Sequence, residues 1–172
     1  MITALFLATV LIGILASGIR LATPYLYAGI GETFGQRSGV LNLGVEGQML
    51  LGAFAAFYAV QQTGNLWLGL LAAVCVGGLM GLAMAFVSVT LRAKQGISGI
   101  GFFLFGLGMS DLLFQKWLGT VQTVSGFRPL PIPLLSRIPV LGPIFFNQNL
   151  LVYIASLLVP SANYAMNETT LG

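Results

Sequence analysis

Between Leu66 and Leu91 the chain carries no charged side chain. Roughly 20 mainly apolar residues, rising 1.5 Å each, cross the hydrocarbon core of a bilayer, and this block is long enough to do so. Three further blocks have the same character: residues 4–30, with Arg20 and a kink expected at Pro24; residues 40–60, with Glu46; and residues 97–118, with Asp111 and Lys116. A fifth, residues 149–160, is too short to span comfortably before the polar tail begins. The expected fold is an all-α integral membrane protein: a polytopic bundle of four to five transmembrane helices, with a broken segment before the second. Residues 1–160 form the transmembrane domain and residues 161–172 a divergent polar tail.

Composition agrees. Only 6% of the residues are charged and 57% are apolar, against about 25% charged in a soluble domain, so the lipid bilayer is the expected surroundings. The net charge of +3 comes from seven basic residues scattered singly or in pairs, which make no nucleic-acid patch. Cys75 is the single cysteine and there is no histidine, which removes a disulfide framework, a zinc site and histidine acid/base catalysis. No metal site, no cofactor and no enzymatic activity are expected. A Gly-rich Lys-Ser/Thr phosphate loop is also missing, so any ATP acts through a partner.

No basic residue precedes Ile2, so the first block reads as a retained anchor rather than a signal peptide. The pattern Asn167-Glu168-Thr169 reads as a chance glycosylation sequon. Prolines 129, 131, 133, 139 and 143 forbid a continuous helix over residues 119–148, which should lie extended over the bundle mouth. Arg92 and Lys94 occupy one short connection while residues 61–65 carry no charge, which puts the former on the cytoplasmic side and the N-terminus outside.

The stretch 35–52 gathers glycines and polar side chains at the start of a membrane block, where a broken helix exposes backbone groups to a water-filled path. On a helix Asn42 and Glu46, four apart, share a face. A carboxylate in a span is costly and turns toward a cavity or partner, so this face should point inward. Two readings of Glu46 stand: it pairs with Arg37 or caps a helix, or it touches a solute crossing the bundle. Gln48 joins the polar candidates along this path, and so does Asp111, which also reads as a structural hydrogen bond to a neighbouring span. Small residues every four positions, Gly69, Ala73, Gly77, Gly81 and Ala85, form a packing stripe, and Gly77→Leu is expected to disrupt assembly. Trp67 and Trp117, near span ends, read as interfacial anchors.

Several of these segments carry a family resemblance. Ala22-Thr23-Pro24, the run from Arg37-Ser38-Gly39 through Asn42-Leu43-Gly44-Val45-Glu46-Gly47-Gln48-Met49, the stretch Gln95-Gly96-Ile97-Ser98-Gly99-Ile100-Gly101 and the Pro-rich loop at 122–133 together resemble bacterial ABC importer permeases. The superfamily is that of the branched-chain amino acid and ribose permeases, and the resemblance is to its nucleoside and simple-sugar branch, over residues 20–160. It implies a multi-pass subunit of the bacterial inner membrane that works with ABC ATP-binding subunits, a second permease subunit and an extracytoplasmic solute-binding lipoprotein. Transport would follow alternating access. Family members are longer, and a cytoplasmic segment that docks on the ATPase is expected after the last block. Residues 161–172 do not resemble it, so the chain reads as a truncated or frame-shifted product. A secondary transporter or channel, or a non-transporting remnant, are the alternatives.

Overall fold

The computed structural model describes residues 2–120, 123–133, 136 and 140–168, with side chains from residue 9 onward. Arg137, Pro139, Thr169 and the end of the expected tail lie outside the described residues. Helix α1 spans Ile2–Arg37, α2 Val45–Thr63, α3 Leu66–Ala85 with a π-helical continuation Phe86–Thr90, α4 Gln95–Trp117, α5 Leu141–Phe145 and α6 Leu150–Glu168. Strands β1 (Pro129–Pro131) and β2 (Asn147–Asn149) pair antiparallel, Leu130 opposite Gln148. Among the described residues, four helical stretches are long and apolar enough to cross a membrane: Thr9–Arg37, Leu66–Thr90, Gln95–Trp117 and Leu150–Glu168. At most 17% of the apolar window in any of them is buried within the chain. Exposed leucines such as Leu71, Leu82, Leu104 and Leu157 therefore need lipid or another subunit around them.

The set of spans differs from the expectation in two places. The block at 40–60 becomes α2, which is not one of the four, because Glu46, Gln48, Gln61, Gln62 and Thr63 make both its ends polar. Conversely, the block expected to stop at Pro160 continues to Glu168 as α6 and takes in most of the expected tail. Ala162 and Met166 extend the buried face begun by Val152 and Ala155, and the Asn167 amide donates to Asn163 Oδ1 at 2.7 Å one turn back. Packing and local hydrogen bonds thus carry the helix past its proline.

Pro24 likewise does not end its helix: α1 runs through it. The hydroxyl of Thr23 donates to the Ile19 carbonyl at 2.9 Å, back-bonding within the helix that does not reach the Arg20 carbonyl left without a donor by Pro24. At 36 residues, α1 is about 54 Å long and overshoots a bilayer core of about 30 Å.

The chain divides into two compact units, residues 1–30 with 127–172, and residues 31–126. In the first, Ala16, Ile144, Val152, Ala155, Ala162 and Met166 are the buried apolar residues, and Gln148 is buried too, at 1% exposed. The Gln148 amide donates to the carbonyls of Ala16 at 3.2 Å and Ile144 at 2.6 Å, and Tyr27 donates to Leu151 O at 2.7 Å. Tyr153 accepts from the Gln148 backbone and donates to Leu130 O, at 3.1 and 3.0 Å. The described parts of the Pro-rich segment therefore form a two-stranded pairing and a short helix, fastened by polar side chains. Pro143 is tolerated in the opening turn of α5, where no helical hydrogen bond is lost.

The second unit holds α2, α3 and α4. Gly64, at φ +67, closes α2 by donating its N–H to Val60 O at 2.7 Å, and Asn65 caps α3 by accepting from the Trp67 N–H at 2.9 Å. That two-residue turn sets α2 against α3. A methyl on Gly69 would collide with Val60 Cγ2 and sit 3.0 Å from Ala56 O. Within this chain the expected packing stripe meets a neighbouring helix in its first half. Gly69 and Ala73 meet α2, whereas Gly77 and Gly81 have open space where a side chain would go, and Ala85 is exposed. In the isolated chain, Gly69→Leu should lower the thermal midpoint in detergent and Gly77→Leu should not. Equal melting of both variants would overturn this account.

Candidate functional site

A turn of seven residues, 38–44, links α1 to α2 in the second unit, and polar side chains from three helices hold it. Gly39, at φ +82, reverses the chain, with the Val40 N–H donating to Gly35 O at 3.0 Å. Gln95, opening α4, grips the turn through both ends of its carboxamide: Oε1 accepts from the Leu41 N–H at 2.8 Å and Nε2 donates to Gly39 O at 3.0 Å. Glu32, in the last turns of α1, accepts from the Asn42 N–H at 3.0 Å and from Gln36 Nε2 at 3.1 Å, both on Oε1. Asn42 accepts from the Gly44 N–H at 3.0 Å and donates through Nδ2 to Gln48 Oε1 at 3.1 Å. The Nε2 of Gln48 is buried and has no hydrogen-bond partner among the described residues.

The backbones of α2 and α4 touch just beyond this turn. A Cβ on Gly44 would lie 2.8 Å from Gly99 O, one on Gly47 2.6 Å from Phe103 O, and one on Gly99 2.8 Å from Leu43 Cβ. On Gly106 it would run into the Gly47 backbone. Four glycines thus let two helices meet without side chains between them. The polar turn is fastened to a close-packed crossing.

The predicted site residues are distributed as follows. Asn42 and Gln48 are joined directly. Asn42 and Glu46 do not share a helix face, since α2 begins at Val45 and Asn42 forms an Asx turn ahead of it. Glu46 is exposed in the first turn of α2, where a carboxylate suits the positive end of the helix dipole. It makes no hydrogen bond or ion pair among the described residues. Arg37 is exposed in the last turn of α1, the complementary placement for a cation. Asp111 is exposed and accepts from Gln115 Nε2 at 2.8 Å on its own helix rather than from a neighbouring span. Trp117 lies against Tyr58 and Phe54, with ring centroids 5.1 and 6.3 Å away, so it packs within the unit as well as sitting at a span end.

Glu32, Gln36 and Gln95 were not among the predicted residues. The signal available for the first two was their spacing of four on a helix end, which puts an amide within reach of a carboxylate. For Gln95 it was a carboxamide opening a strongly apolar block. No group of three or more potential metal-ligating side chains occurs among the described residues.

Comparison with known proteins gives this arrangement a context. The chain is 35% identical over 164 residues to a putative glucose ABC transporter permease protein, TsgC13, of Haloferax volcanii, covering 93% of this chain and 49% of that protein. It is 37% identical over 146 residues to the guanosine ABC transporter permease protein NupQ of Bacillus subtilis, covering 80% and 45%. Against the nucleoside ABC transporter permease protein NupC of Lactococcus lactis it is 31% identical over 168 residues, covering 92% and 53%. The chain spans about half the length of these curated relatives. No solved structure matches it. Residues 14–172, nearly the whole chain, match the family described as the permease component of branched-chain amino acid transport systems, and this multi-pass membrane protein belongs to that family of transport proteins, which is not a class of enzymes.

Proposed function

We propose that the chain is a transmembrane subunit of an ABC importer and forms part of the path for a small polar solute. A nucleoside or simple sugar is favoured over a branched-chain amino acid. The observation that carries this reading is the family match together with relatives whose names specify glucose, guanosine and nucleosides. Its partners are two ATP-binding subunits, a second permease subunit and an extracytoplasmic solute-binding lipoprotein, and its location is a bacterial inner membrane. ATP is bound by the partner subunits, and the chain holds no cofactor of its own.

The polar turn suits alternating access. Asn42 and Gln48 offer a hydrogen-bonding pair to a hydroxylated solute, and the unpartnered Gln48 donor is the kind of group that a switch in conformation would present to one. Glu46, exposed and without a hydrogen bond among the described residues, lies two residues before Gln48 in the sequence and could accept from a ribose or sugar hydroxyl. In cells carrying the complete importer, Glu46→Gln should lower uptake of labelled nucleoside or sugar roughly tenfold, the size of one charged hydrogen bond. Membrane abundance should stay the same. If uptake and abundance fall together, Glu46 serves folding; if purified chain alone takes up solute on a proton gradient without ATP, the importer reading is wrong.

A further inference from the structure

The connection from α3 to α4 is held in an unusual backbone. Helix α3 ends in the π-helical turn Phe86–Thr90, where the Leu91 N–H donates to Phe86 O at 3.1 Å and the Ala93 N–H to Val87 O at 3.2 Å. Arg92 follows at φ +52, a conformation in which glycine is at ease and a side chain is strained. Three residues later Gln95 fastens the connection to the 38–44 turn by its two hydrogen bonds to Gly39 and Leu41. Both flanks over-determine the geometry, and arginine occupies the position where glycine would fit better. Strain retained under such constraint points to a use for the side chain.

The Gln95 grip also fixes what surrounds Arg92. The two connections lie side by side, so Arg37, Arg92 and Lys94, all exposed, share one end of the second unit. Two carboxylates stand at this end as well: Glu32 accepts from Asn42 and Gln36, and Glu46 opens α2 without an ion pair to Arg92 or Lys94 among the described residues. Leu41, Leu91 and Ile97 stand exposed at the same level, 40%, 60% and 69% respectively. Cations interleaved with exposed aliphatic side chains at the end of spanning helices match the boundary between headgroups and acyl chains.

We infer that Arg92, with Lys94 beside it, is a docking point for the phosphate of anionic phospholipid headgroups. The occupant follows from surroundings already established: the helices ending here are long and apolar enough to span a bilayer, and its anionic headgroups complement these two cations. The inference is independent of which solute is carried. It also accounts for arginine at a glycine-like position, since a planar guanidinium binds phosphate through two parallel hydrogen bonds.

The test uses the full chain purified into nanodiscs of phosphatidylcholine, with and without phosphatidylglycerol. Native mass spectrometry counts retained lipid, and thermal unfolding reports stability. The wild type should retain phosphatidylglycerol in preference to phosphatidylcholine. Arg92→Gly should lose about fivefold in affinity for it while unfolding no earlier in pure phosphatidylcholine, because the strain at this position is relieved. Arg92→Lys should fall between the wild type and Arg92→Gly, since an ammonium keeps the charge but cannot make the two parallel hydrogen bonds. Unchanged phosphatidylglycerol binding by Arg92→Gly and by Arg92→Gly with Lys94→Gln would overturn the inference. So would stabilisation by inorganic phosphate equal to that by the lipid, or a variant whose only defect is loss of a co-purifying protein.

Discussion

Gly106→Val should leave almost no folded protein in detergent extracts, while Gly101→Val, on the same helix, should be close to silent. Both changes put the same β-branched side chain into α4 and carry the same helix-propensity cost. They differ in what the new carbon meets. At Gly101 nothing lies within 4 Å, whereas at Gly106 a Cβ would land on the backbone of Gly47. A side chain in the way can turn aside, but a helix backbone moves only with the whole helix, so the cost should exceed about 3 kcal/mol, the usual upper range for overpacking. Separation of α2 from α4 would also pull on the polar turn, because Gly44 contacts Gly99 and Gln95 grips residues 39–41. Size-exclusion profiles and melting curves of the two variants decide the matter. Similar behaviour of both would mean that the α2–α4 crossing is not close-packed.

That crossing marks the boundary of what could be read from the chain. The uncharged block at 66–91 announced a spanning helix because one property, the absence of charge over sufficient length, suffices to identify it. The glycines at 44, 47, 99 and 106 were visible individually, but a close approach belongs to a pair of helices, and a lone sequence does not say which glycines face each other. Regular spacing of small residues points instead to α3, where Gly69 and Ala73 meet α2 and Gly77 and Gly81 face open space within the chain. The break before α2 was legible from its glycines and polar residues. Its geometry was not: Asn42 spends its side chain on the Gly44 N–H and on Gln48, and this local hydrogen bonding delays the helix until Val45. At the other end of the chain, Ser161 and Asn163 looked like the start of a polar tail. Buried Ala162 and Met166 keep the helix going, a tertiary effect that composition does not register.

Glu32→Ala should release the polar turn while leaving the helices in place, and Glu32→Gln should largely rescue it. One oxygen of Glu32 accepts from both the Asn42 N–H and the Gln36 side chain, and Asn42 is half-buried, so removing the carboxylate leaves a backbone donor without its partner. The expected cost is about 2 kcal/mol, within the range for hydrogen bonds to charged groups. It should appear as faster hydrogen exchange at Asn42 and Leu41, with exchange in the middle of α3 unaltered, since that helix makes no hydrogen bond to the turn among the described residues. Glutamine retains an acceptor oxygen at the same reach and loses only the charge, so its exchange should return most of the way to wild type. A purely electrostatic role for Glu32 predicts the reverse: the glutamine variant would exchange as fast as the alanine one. Because Asn42 in turn orients Gln48, the alanine variant also tests the proposed path, and its uptake should fall further than that of the glutamine variant at equal membrane abundance. Uptake that falls equally in both, with Asn42 exchange restored only by glutamine, would separate the order of this turn from the passage of solute.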